Sequence, residues 1–270
     1  MDTKPTIVFL FTGQARTSPF ALNKLEKSNC IMDSYNTFLF TDLFKKTYNY
    51  KIYISTDDVH LENTINYFKE ENIGNIHLFD TNFFQKPINS EIEDVSYYLN
   101  NYNNKDWDYH CKENNAIYPY DIYENSIYQH YKILDCYNMF ENDVSNIINL
   151  KYIVRIRMDV IIQEDFMNLI DFIENNNNVL YCIKWDFFSL GKPDIMKYYC
   201  NGLNNNYGNI YNYKERFPSF WHNYNDVPKR RWTFAPERQL FELLFQYCDD
   251  NNIDINTGIQ NTNFCEIIRP

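Results

Sequence analysis

The chain has 270 residues, 44% of them hydrophobic and 18% aromatic, enough to close one large α/β core or two small ones. Its net charge of −11 excludes a general nucleic-acid binder, whose surface needs excess positive charge, but leaves room for a local cationic pocket. Seven cysteines at irregular spacings, without a CxxC pair, indicate neither a zinc site nor a disulfide framework and read as reduced thiols of an intracellular protein.

The N-terminus runs straight into a strand, and no apolar run reaches about 18 residues. The expectation is a protein without signal peptide or transmembrane segment, cytoplasmic, with any membrane association peripheral. Ile7-Val-Phe-Leu-Phe11 is a continuous apolar run, as in a strand covered on both faces. Thr12-Gly13-Gln14-Ala15-Arg16 follows as a polar loop. Thr17 or Ser18 is placed to cap a helix, with Pro19 at its first position. A strand, a short loop and a helix N-terminus present backbone N–H groups to an anion, and Arg16 adds a full charge. An ordinary βα turn would look the same.

Residues 19 to 47 read as helix in two pieces, broken around Cys30. Lys51-Ile-Tyr-Ile-Ser-Thr56 is a second strand, ending in Asp57-Asp58. A short helix over 60–71 and a third strand, Asn75–Phe79, follow. Alternating strand and helix predicts a mostly parallel sheet flanked by helices, with ligands beyond the carboxyl ends of its strands. Residues 81–120 show no clear periodicity and read as a first long insertion. A helix is predicted from about Tyr120 to Phe140, with Ile122, Ser126, Ile133, Cys136 and Phe140 along one stripe. Gln129 and Lys132 are neighbours on it. Gln129 either faces a ligand or is solvated; Lys132 is expected to be solvated.

Lys151-Tyr-Ile-Val-Arg-Ile-Arg-Met-Asp-Val-Ile-Ile162 is the most informative stretch. Its first half is a β-branched strand. Arg155 and Arg157, two apart, share a face, and Asp159 lies at or just past the strand end. A buried strand with three charges on one face needs a use for them, because an unpaired buried charge costs several kcal/mol, roughly. Two cations and a carboxylate suit an anion bridged by Mg²⁺ or Mn²⁺. The alternative is an internal Arg–Asp salt bridge. A helix over 164–175 and a strand Val179–Ile183 follow. Trp185-Asp186-Phe-Phe-Ser-Leu-Gly191 is a strand or bend carrying Asp186 among aromatics, where its pKa would rise. A helix over 192–199 precedes a second long loop, 201–232, with the basic run Lys229-Arg230-Arg231. Ala235-Pro236-Glu237 opens a final helix to about Tyr247, and Glu237 suits its dipole. No linker or repeat divides the chain, so a single domain with two insertions is expected.

Taken in order, these segments resemble GT-A-fold polysaccharide glycosyltransferases of viruses and bacteria. Thr12-Gly13-Gln14-Ala15-Arg16 matches a Ser-Gly-Gln-x-Arg loop, with Thr for Ser. Tyr128-Gln129-His130-Tyr131-Lys132 matches a Tyr-Gln-x-Tyr-Lys-like helix end. Arg155-Ile-Arg157-Met-Asp159 matches Arg-x-Arg-x-Asp, Asp186–Gly191 matches Asp-x-Phe-x-x-Gly, and Pro236-Glu237 opens the last helix. Asn- and Tyr-rich composition also looks like a giant DNA virus or an AT-rich bacterium; a viral origin would mean the host cytoplasm.

The resemblance implies a GT-A-like (Rossmann-like) domain, with a nucleotide-binding half over about 1–160 and an acceptor-side half over about 161–270. It implies transfer from a nucleoside diphosphate sugar, most often a UDP-sugar, to a glycan or glycoprotein acceptor. Asp159 would hold Mn²⁺ or Mg²⁺ on the diphosphate, and Arg16, Arg155 or Arg157 would add positive charge. Thr12, Gly13, Gln14 and Asp57 would line base and sugar, with Gln129 nearby. Asp186 or Glu237 would deprotonate the acceptor in an inverting enzyme. Arg157 stands where many such enzymes carry the first Asp of Asp-x-Asp, so arginine can take over part of the ion's role. Two other classes remain compatible: a non-catalytic nucleotide-sugar-binding module, and another α/β transferase such as a methyltransferase. The latter would need a glycine-rich first loop that Gly13 alone does not supply.

Overall fold

The computed structural model describes residues 4–13, 34–57, 73–79, 120–158, 160–176, 180–183, 187–206, 244, 247–253, 259–261 and 264–267. The protein is mixed α/β, with a mostly parallel seven-stranded sheet. Its strands are β1 (Thr6–Gly13), β2 (Asn49–Asp57), β3 (Ile73–Phe79), β4 (Leu150–Arg157), β6 (Leu180–Ile183), β7 (Phe188–Gly191) and β8 (Ile259–Asn261), in the order β3-β2-β1-β4-β7-β6-β8. Strands β1 to β4 are parallel, β7 runs antiparallel to both β4 and β6, and β8 is parallel to β6. A separate antiparallel pair joins β5 (Val160–Ile162) to β9 (Cys265–Ile267). The helices are α1 (Asp42–Thr47), α2 (Tyr120–Asp143), α3 (Phe166–Asn175) and α4 (Pro193–Asn206).

The apolar run of β1 is buried because the sheet is covered on both sides. Ile7, Phe9 and Phe11 enter one core, and Val8 and Leu10 enter the other. The first core is aromatic: Phe9 lies 5.2 Å from Phe40, 5.7 Å from Phe44 and 5.6 Å from Phe166, centroid to centroid. Each such ring contributes about 1.5–3 kcal/mol by leaving water. The second core sits under α2 and α4. Ile133, Cys136, Tyr137 and Phe140 recur at helical spacing, and Ile195, Met196, Tyr199 and Cys200 face them. Ile133, Cys136 and Phe140 therefore lie on the predicted stripe.

The direction of α2 matters for the site. At its C-terminal end Asp143 accepts hydrogen bonds from Tyr53 Oη (2.7 Å) and Asn146 Nδ2 (2.6 Å) and pairs with Lys51. Two turns earlier, Asp135 Oδ2 accepts from Ser55 Oγ at 2.9 Å. Lys51, Tyr53 and Ser55 alternate along one face of β2. Helix α2 thus runs antiparallel to β2, and its N-terminal half extends past the carboxyl edge of the sheet.

Several elements depart from expectation. The predicted break near Cys30 lies outside the described residues; within them the chain makes a π-helical turn over Tyr35–Leu39 and then starts α1, capped by Thr41, whose hydroxyl accepts from Phe44 N at 3.1 Å. Strand β1 continues through Thr12 and Gly13, which pair with Ser55 and Thr56, so these two residues are not loop. Helix α4 runs on to Asn206, six residues into the predicted second loop. Strands β8 and β9 were not expected, and the last helical residues, 247–250, extend beyond the predicted end. The helix over 60–71 and the insertion over 81–119 lie outside the described residues.

Candidate active site

Strands β1, β2 and β4 end together, because Thr12 stands opposite Ser55 on one side and Arg157 on the other. Their carboxyl ends bring Thr12, Gly13, Asp57, Arg155 and Arg157 to one edge. Of the remaining candidates, Gln129 is on the overhanging half of α2. The side chains of Asp57 and Gln129, and the whole of Gln14, Arg16, Asp159, Asp186 and Glu237, lie outside what is described.

Arg155 is fully buried, on the α2/α4 side of the sheet. Its Nε donates to Thr12 Oγ1 at 2.9 Å, which ties the ends of β4 and β1. Both terminal nitrogens, Nη1 and Nη2, are buried with no hydrogen-bond partner among the described residues. Among the described residues Arg155 forms no ion pair. Ser189, opposite Arg155 across the β4–β7 ladder, also has a buried hydroxyl without a hydrogen-bond partner among the described residues.

Nearby thiols do not neutralise the guanidinium. Burial pushes the Cys136 and Cys200 thiols well up, and Arg155 pulls them back only in part. Both stay neutral near pH 7. Cys136 Sγ instead donates to the Tyr53 carbonyl at 3.3 Å. A buried cation with two unsatisfied NH₂ groups is costly unless an anion meets it.

Arg157 behaves differently from Arg155. It is half-buried, and its guanidinium lies 5.1 Å from the Phe187 ring centroid. Its backbone N–H donates to Phe187 O at 2.9 Å, and Met158 N donates to Thr12 O at 3.1 Å. The two arginines expected to act as a pair therefore have different surroundings. Gly13 adopts φ 117°, where only glycine is at ease. A Cβ there would meet nothing within 4 Å, so the backbone, not space, demands glycine.

Lys132 is a correction: expected to be solvated, it is 3% exposed. Ser55, Asp135 and Ser189 are further polar residues of this region that the sequence reading did not single out. Ser55 was accessible from the period-two alternation Tyr53, Ser55, Asp57; Ser189 lay inside a segment read only for its Asp186.

No protein-family model matches the chain, and no curated protein matches it. Solved structures similar to it include mouse xyloside xylosyltransferase 1 in its apo form, at 8% identity and a TM-score of 0.40, covering 96% of this chain and 84% of that one. The glycosyltransferase GlyE of Streptococcus pneumoniae TIGR4 is similar in two structures. Its apo form has 12% identity and a TM-score of 0.32 over 91% of this chain and 44% of that one. The second has 11% identity and a TM-score of 0.33 over 97% and 46%. Identities and scores this low leave donor, acceptor and metal to be argued from the chain's own residues.

Proposed function

We propose that the protein is a glycosyltransferase that moves a sugar from a nucleoside diphosphate sugar, UDP-linked in the first instance, to a glycan or glycoprotein hydroxyl. The observation that carries this reading is the buried Arg155 guanidinium, tied to Thr12 at the carboxyl edge with both Nη groups unpartnered. A phosphate oxygen is the partner such a fork fits best. Departure of a nucleoside diphosphate develops negative charge, and a preorganised buried cation stabilises it most.

In this reading Thr12, Gly13 and Gln14 line the nucleotide, with Arg16 closing on its phosphates and Asp57 and Gln129 on base and sugar. Arg157, held over Phe187, adds a second charge. Asp159, two residues beyond Arg157, would hold Mn²⁺ or Mg²⁺. One carboxylate plus donor phosphates is an ordinary coordination set for such an ion. Among the described residues no cluster of three His, Cys, Asp or Glu offers an alternative cage. The ion would neutralise charge on the leaving diphosphate. Asp186 or Glu237 would take the acceptor proton in an inverting reaction, with Asp186 preferred because its aromatic sequence setting is less easily explained by helix capping than the position of Glu237.

A thermal-shift panel of nucleotides and nucleotide sugars, with and without Mn²⁺, tests the reading. UDP or a UDP-sugar at about 100 Kd should stabilise by roughly 2.7 kcal/mol. Asp159→Asn should abolish the Mn²⁺-dependent part and leave the fold intact. Binding without measurable sugar transfer or donor hydrolysis would make the chain a binding module. The absence of any nucleotide-dependent shift would remove the donor site.

A further inference from the structure

Among the described residues, buried polar atoms without a hydrogen-bond partner occur on Arg155, on Ser189 across the ladder from it, and on Thr56. Thr56 is separate from the other two. It is fully buried, and its Oγ1 meets no hydrogen-bond partner among the described residues. It is the last residue but one of β2 and stands opposite Gly13, the last residue of β1. Thr56 therefore lies one residue further out than the row formed by Ser55, Thr12 and Arg157. Side chains alternate along β2. Ile52 and Ile54 enter the aromatic core, so Thr56 faces that side, while Ser55 faces α2.

The position beside Thr56 on β1 is open: Gly13 has no side chain, and a Cβ there would meet nothing within 4 Å. A buried hydroxyl left without a partner costs stability, and valine would fill the same space on a strand without that cost. Arg155 meets Thr12 on the α2 side of the sheet, whereas Thr56 lies one strand over and on the other side. The end of β1 separates the two groups, so a ligand that meets both must extend beyond its phosphates. A threonine hydroxyl both donates and accepts. It suits the uncharged polar groups of a nucleoside, whereas phosphate is better met by a cationic fork.

We infer that the Thr56 hydroxyl binds the nucleoside moiety of the donor, while Arg155 takes the phosphates. The inference rests on the donor reading given above. The competing account is that Thr56 is a β-branched strand residue that touches no ligand. In that case its hydroxyl has no effect on nucleotide affinity.

Calorimetric titration of the full chain with UDP, 2′-deoxy-UDP and inorganic pyrophosphate, each with Mg²⁺, separates the accounts. Thr56→Val should keep or raise the Tm of the unliganded protein and weaken UDP by roughly 2–12-fold, the range of one neutral hydrogen bond. Its affinity for pyrophosphate, which has no nucleoside, should be unchanged. Thr56→Ser keeps the hydroxyl and should retain most of the UDP affinity. Thr56→Ala should show the same loss as Thr56→Val, which keeps the test open if valine is not accommodated. A variant that weakens 2′-deoxy-UDP as much as UDP places the contact on the base; one that leaves 2′-deoxy-UDP unchanged places it on the ribose 2′-hydroxyl. Folded Thr56→Val or Thr56→Ala binding UDP as tightly as wild type overturns the assignment of Thr56 alone, as does an equal loss for UDP and pyrophosphate. Wild-type protein that does not bind UDP overturns the donor reading together with it.

Discussion

The two edges of the central sheet treat charge in opposite ways. At the amino edge each strand-borne lysine has a partner. Lys51 of β2 pairs with Asp143, which Tyr53 and Asn146 also hold. Lys151 of β4 lies 2.6 Å from Glu174 and 5.6 Å from the rings of both Tyr48 and Tyr152. At the carboxyl edge of the same β4, Arg155 is more deeply buried than either lysine, yet among the described residues its two Nη groups have no hydrogen-bond partner. Folding alone would favour the reverse, with the deepest charge best paired. The pairs at one edge close the structure; the guanidinium at the other is where the proposed donor phosphate would bind.

The sharpest way to break this comparison is Arg155→Met. If the charge serves a ligand, the unliganded protein should keep its Tm or gain, since an unpaired buried cation is replaced by an apolar chain of similar length. Losing the hydrogen bond to Thr12 offsets part of that gain. Affinity for UDP should fall by about 1.5–3 kcal/mol, or roughly 10–150-fold. If instead the variant melts far below wild type and still binds UDP normally, Arg155 is structural and the edges do not differ in purpose.

A smaller effect separates the edges at the backbone. Both carry a residue with positive φ: Gly13 at 117° after β1 and Asn149 at 57° before β4. Asparagine tolerates the left-handed region, and the Asn149 carbonyl accepts from Thr6 N at 2.8 Å. Gly13 lies outside that region, so Gly13→Ala and Gly13→Asn should both cost about 1–3 kcal/mol in chemical denaturation. Asn149→Gly should be close to neutral. A neutral Gly13→Asn would show that the first turn is not held at this φ.

Much of this was legible in the sequence, for identifiable reasons. A strand buried on both faces must be apolar throughout, and Ile7–Phe11 is. Two arginines at period two on an otherwise apolar strand marked the carboxyl end of β4, where Arg155 and Arg157 lie. The sequence did not show that Arg157 would stack on Phe187, because that partner comes from the turn before β7, thirty residues away. The antiparallel direction of β7 had no signal, since four residues carry no information on orientation. Strands β8 and β9 have three residues each and fall below any periodic window. Lys132 was misread because its charge outweighed its position. Four residues from Cys136 is about 40° around the helix, inside the apolar stripe.

The smallest expected effect is a pH dependence confined to the amino edge. Hydrogen bonds from Lys51, Asn146 and Tyr53 hold the Asp143 carboxyl well below its ordinary value of 3.8. The folded protein therefore binds the proton less readily than the unfolded chain. The stabilisation from these contacts is fully present above pH 3.8 and is lost as pH falls from there toward the folded value. Asp143→Asn should lower Tm at pH 7, and its Tm should then decline less than that of wild type between pH 5 and pH 3, on the order of those limits. An identical acid decline in both proteins would mean that Asp143 is not paired in solution. The two edges should thus separate in one experiment: acid sensitivity changes with Asp143→Asn and not with Arg155→Met, and nucleotide affinity changes with Arg155→Met and not with Asp143→Asn.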